Sequence, residues 1–180
     1  MIVIEPLPNA ATAHRQQPNR RELQRFLVDA KSAIPLSGTV SVLLTSDEAV
    51  RELNHRFRHK NTATDVISFP AAKQDGITSP RRQLAGDLAI SLDTAARQAE
   101  HYGHSLTAEV KILILHGLLH LAGLDHETDT GEMAAKEQQL RSQLDLPTGL
   151  IDRSLSRISP PKRKPSTPAA PSAKRRGKSL

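Results

Sequence analysis

His116, His120 and His126 lie in the segment HGLLHLAGLDH, and their types and spacing could assemble a metal site. Residues four apart on an α-helix leave one face a turn apart, so His116 and His120 point the same way. Gly123 accepts the left-handed backbone that ends a helix and turns the chain back, which delivers His126 towards the same point. Three converging neutral imidazoles suit a first-row divalent ion, zinc foremost, with a fourth position open to water. The alternative is three core histidines satisfied by hydrogen bonds. Burying them among Leu118, Leu119, Leu121 and Leu124 is costly without a strong partner, which favours the metal.

A histidine, another four residues on, a glycine at seven and a histidine at ten also mark the zinc helix of metzincin peptidases. Those enzymes need a glutamate directly after the first histidine as base for the attacking water. Gly117 stands there instead. Peptide hydrolysis by that route therefore lacks its proton acceptor.

The elements that must position the histidines can be read from periodicity and caps. Ile2–Ile4, Thr39–Thr45, Asp65–Phe69 and Leu84–Ser91 read as strands, the second rich in β-branched residues. Asn19, with Glu22 three residues on, predicts a capping box opening a helix through Phe26, Leu27 and Ala30. Ser46 predicts the cap of a helix with Asp47 and Glu48 in its first turn. Further helices are expected over 91–102, from a Thr107 cap to about Ala122, and over 130–144, with a polar Gly/Pro loop over 71–82. Strands and helices interleave without strict repetition. The expected fold is α/β in the broad sense (α+β): a single domain, a small mixed sheet packed by helices.

Charge is distributed unevenly along the 180 residues, whose net charge is +6. Residues 159–180 carry Lys162, Arg163, Lys164, Lys174, Arg175, Arg176 and Lys178, five of the twelve prolines and no acid. The remaining eighteen lysines and arginines face all nineteen acids in 1–158, leaving −1 there. The expectation is a domain over 1–158 and a disordered basic tail over 159–180, either a solubilising extension or an arm that contacts RNA phosphates. No cysteine is present, which excludes disulfides, thiolate metal sites and cysteine nucleophiles. No apolar run approaches the ~20 residues of a membrane span, and MIVIEPLPNA lacks a basic region ahead of an apolar one. No membrane association is expected, and the cytoplasm is the default location. One Tyr, three Phe and no Trp argue against base stacking on aromatics as the main mode of nucleic-acid contact.

Three blocks of this sequence, in order, resemble the YbeY family of bacterial endoribonucleases, which mature ribosomal RNA. They are Leu53, Asn54, Phe57, Arg58 and Lys60 running on to Thr64–Pro70; Gly86–Ile90; and HGLLHLAGLDH itself. Together they cover roughly residues 40–127. Phe57 and Leu124 stand where the family often has tyrosine. The resemblance implies an α/β endoribonuclease dependent on one zinc ion, or another first-row metal, on His116, His120 and His126. It implies single-stranded RNA and ribosomal RNA precursors as substrates, 16S ribosomal RNA 3′ end maturation, ribosome quality control and the small ribosomal subunit as partner.

The resemblance also implies catalytic roles for His116 and Arg58. A guanidinium suits the charge that gathers on phosphate oxygens under attack; the plainer reading of Arg58 is an exposed helix-end arginine near a carboxylate. Asp125 is read either as an orienter of a ligating imidazole or as a turn-forming aspartate. Asp65 and Asp87 read as strand-end hydrogen-bonding residues, and His55, His59, His101 and His104 as surface residues. A non-catalytic ribosome assembly factor, stapled by the metal, is the alternative function.

Overall fold

Leu106–Leu121 forms the helix about which the rest of the chain is arranged, and eleven of its residues are buried. A helix apolar on every side needs covering on every side. In the computed structural model, which describes residues 1–5, 17–72 and 83–147, that cover comes from a sheet and from helices before and after it. The expected loop over 71–82 falls mostly outside the described residues, and the tail over 159–180 falls wholly outside them.

In chain order the described elements are β1 (Ile2–Ile4), α1 (Arg20–Ser32), β2 (Thr39–Thr45), α2 (Asp47–Arg58), β3 (Val66–Pro70), β4 (Leu84–Ser91), α3 (Leu92–Tyr102), α4 (Leu106–Leu121) and α5 (Glu132–Gln143). The strands lie in the order β1-β2-β4-β3. β1, β2 and β4 run parallel, and β3 pairs antiparallel with β4, Ser68 opposite Leu88 and Phe69 opposite Asp87. The sheet is mixed, as expected. β3 closes one edge of it.

Gly117 of α4 is where helix and sheet come closest. A Cβ there would stand 2.7 Å from Leu88 Cδ2 and 3.3 Å from Ser68 Oγ. Gly86 makes the reciprocal approach on β4, where a Cβ would meet Leu121 Cδ2 at 2.6 Å and the Phe69 carbonyl at 2.5 Å. These two glycines let α4 lie directly on β3 and β4, with Leu88 and Ile90 buried beneath it. No helix among the described residues is long and apolar enough to cross a membrane.

The predicted caps hold with two corrections. Asn19 Oδ1 accepts from Glu22 N, but Glu22 does not return the bond: its carboxylate accepts from Lys111 Nζ of α4, and Asn19 N donates to Thr107 Oγ1. The α4 cap is Ser105, whose Oγ accepts from Ala108 N, two residues earlier than expected. Thr107 is instead the point where the start of α1 is tied to α4. Ser46 and Ser91 cap α2 and α3.

His104 is not a surface residue. Gly103 ends α3 in a left-handed turn, which folds His104 back onto the first turn of α4. There its Nε2 lies 2.5 Å from Oε2 of the fully buried Glu109. A carboxylate in the core needs such a partner.

Candidate metal centre

Two residues of α4 and one from the turn after it build the site. His116 and His120 share a face of α4, their ring centroids 4.8 Å apart and their Nε2 atoms 3.1 Å apart. The helix ends at Ala122, and Gly123 follows at φ 91°. Gly123 N donates to His120 O and Leu124 N to Leu119 O, the paired bonds of a Schellman ending. The chain then enters a turn in which the Asp125 carbonyl accepts from Thr128 N and Asp129 N. His126 rides on that turn, its ring centroid 5.2 Å from that of His116 and 5.4 Å from that of His120.

One nitrogen from each of the three rings lies within 4.8 Å of the others. Zinc–nitrogen bonds of ~2.0–2.1 Å put two ligands of a tetrahedral ion about 3.3 Å apart. The His116–His120 pair lies close to that edge, and the His126 nitrogen stands within 4.8 Å of both. An all-nitrogen set of neutral imidazoles fits zinc, copper, nickel or iron in preference to magnesium or calcium. Burial first, and then the neighbouring His116 and His126 rings, lowers the His120 pKa from 6.5 to about 4. That ring is therefore held neutral, the form a metal requires.

Asp125 lies beside the site without bonding a ring among the described residues. Its carboxylate accepts from Glu127 N at 3.1 Å and from Thr128 Oγ1 at 3.2 Å, and these bonds hold its pKa below the usual range. The structure thus shows the turn-forming role, with Asp125 shaping the segment that carries His126. The carboxylate that does reach an imidazole is Glu137. It is buried on α5, and its Oε2 lies 3.4 Å from His116 Nδ1, where it can accept that nitrogen's proton in the tautomer a metal on Nε2 requires. With the proton on Nδ1, the Nε2 lone pair faces the site. Nothing near the histidines in sequence points to a residue 21 positions on. The available signal was a lone acid on the inward side of α5, between Met133 and Leu140.

Arg58 is the last residue of α2. It is exposed, and its Nη2 donates to the Ser68 carbonyl of β3 at 3.4 Å. Ser68 Oγ in turn donates to the Gly117 carbonyl at 3.4 Å, next to His116. The edge strand thus links the guanidinium to the histidine helix. Among the described residues no carboxylate pairs with Arg58, contrary to its plainer reading. Asp65 does close a strand start, accepting from Val66 N, Thr64 Oγ1 and Gln98 Nε2. Asp87 differs: it is exposed in the middle of β4. His55, His59 and His101 are exposed, as expected.

The family model described as Endoribonuclease YbeY matches residues 9–145. This chain belongs to the YbeY family. It is 52% identical over 135 residues to the Endoribonuclease YbeY of Koribacter versatilis, covering 75% of this chain and 84% of that one. The Endoribonuclease YbeY of Nautilia profundicola is 49% identical over 114 residues, covering 63% of this chain and 78% of that one. A solution structure from Thermotoga maritima superposes with a TM-score of 0.51 at 24% identity, covering 91% of this chain and all of that one, which shows a shared fold.

Proposed function

We propose that this chain is a metal-dependent endoribonuclease acting on single-stranded ribosomal RNA precursors, including the 3′ end of 16S ribosomal RNA, in the cytoplasm and in association with the small ribosomal subunit. The observation that carries the reading is the meeting of His116, His120 and His126 at the end of α4, within 4.8 Å, in a chain of the YbeY family. His116, His120 and His126 would hold the ion, and zinc is the metal the donor set favours. When bound, it supplies a Lewis acid that acidifies water or polarises a phosphoryl oxygen.

The other parts are the chain's own. Glu137 fixes the His116 tautomer and the direction of its Nε2 lone pair. The Asp125 turn sets where His126 stands. Arg58, tethered at the edge of β3, offers a fork of donors to the oxygens of the scissile phosphate as their charge rises. The metzincin glutamate at Gly117 would crowd Leu88 and Ser68, which fill its side-chain direction, so the core would have to shift to admit it. A peptidase reading therefore fails on packing as well as on chemistry.

The same geometry gives the ion a structural share, since it would join α4 to the turn that follows and, through Glu137, to α5. A non-catalytic assembly factor is the second reading. Chelation separates the two. The nuclease reading expects loss of single-stranded RNA cleavage with helical circular dichroism retained; the assembly-factor reading expects unfolding on chelation and no cleavage by the metal-loaded protein. Double-stranded RNA of the same sequence should resist cleavage. The basic segment 159–180 is proposed as an arm on RNA: deleting its seven basic residues should weaken RNA binding at low salt and flatten the salt dependence.

A further inference from the structure

We propose that Phe57 is a stacking platform for an unpaired RNA base, set beside the phosphate-binding Arg58; this rests on the nuclease reading above. Phe57 is 56% exposed although it is a large apolar side chain. A lone exposed ring is ordinary on a protein surface, but this one is held in place. The Phe69 ring of β3 meets it edge-on, centroids 5.2 Å apart at 70°. The Arg56 guanidinium carbon lies over the ring, 5.4 Å from its centroid, a place that a stacking base would take from this exposed side chain. A ring held edge-on by Phe69 loses little freedom when a base stacks on it.

Its surroundings favour nucleic acid over an apolar partner. His55, Arg56, Arg58, His59 and Lys60 are all exposed around it at the end of α2. A hydrophobic protein contact would have to desolvate the Arg56, Arg58 and Lys60 cations, whereas an RNA strand neutralises them with phosphates. Arg58 also fixes the register. It is the chain neighbour of Phe57 and is tied through Ser68 to Gly117, beside His116. Phe57 meets Phe69 and Arg58 meets Ser68, so both side chains lie against β3, and a strand whose phosphate meets Arg58 has an adjoining base within reach of the Phe57 ring. The scarcity of aromatic residues argued against stacking as the main mode; one well-placed ring is enough for one base.

Stacking predicts a preference for single strands, because a base within a duplex presents no free face. The test measures binding of the metal-loaded full chain to a short single-stranded oligoribonucleotide, and to an oligomer of equal length and charge with abasic positions. Phe57→Ala should weaken binding of the intact oligomer by about five- to a hundredfold, while Phe57→Trp keeps it. Both proteins should bind the abasic oligomer equally. An intact oligomer bound equally by wild type and Phe57→Ala would overturn the platform, as would an equal loss on both oligomers. Failure of the wild type to bind or cleave any RNA would instead remove the nuclease reading, and the platform with it.

Discussion

Glu137 Oε2 and His116 Nδ1 face each other at 3.4 Å across the α4–α5 contact, the two residues only 3% and 4% exposed. A buried carboxylate that accepts from one ring nitrogen holds the other nitrogen available for a metal. Glu137→Ala should lower metal affinity by about 10–100-fold, measured by competition with a chromophoric chelator. Glu137→Gln keeps an acceptor at the same place and should lose less.

Arg58 and His116 should separate chemistry from metal binding. His116→Ala removes a ligand and should lose both the metal and cleavage of single-stranded RNA. Arg58→Ala should keep the metal and the fold while cleavage falls by about 10²–10³, the usual cost of removing a donor aimed at transition-state charge. Elemental content and cleavage rate on the same preparations distinguish the two.

Gly117→Glu restores the residue that a metzincin requires, yet it should give no casein cleavage. Its Cβ would press within 2.7 Å of Leu88, which is 1% exposed, so the core must shift to admit it. Overpacking of this kind costs about 1–3 kcal/mol. A lowered melting temperature with no peptidase activity is the expected result.

The His120 pKa sets a pH dependence for the metal-free protein. Its folded value of about 4 lies below the ordinary 6.5, so the unfolded chain binds more protons between those limits. Stability therefore rises with pH across that window and is lost as pH falls from 6.5 towards 4. Melting temperatures of the chelated protein should fall over this range, and His120→Gln should flatten the slope.

The histidine triad was legible in the sequence because its geometry is local: a four-residue helical step, then a glycine that turns the chain. The strands were legible too, and Thr39–Thr45 and Leu84–Ser91 match to the residue. What was not legible depends on elements meeting from afar. Glu137 reaches His116 because α5 folds back on α4, and His104 meets the buried Glu109 because the chain turns back at Gly103. Ser105 and Thr107 are both good caps by type. The Asn19 backbone of α1 takes the Thr107 hydroxyl, and Ser105 caps the helix. Asp125 offered two roles from sequence, and its bonds to Glu127 and Thr128 show the turn role.

The most direct test of the central claim is elemental analysis of the purified protein beside its His116→Ala, His120→Ala and His126→Ala variants. The three-histidine site predicts about one first-row metal ion per chain in the wild type, zinc foremost, and a large loss in each variant. Metal content unchanged in all three variants, or a wild type that binds no first-row ion when offered one, would contradict it.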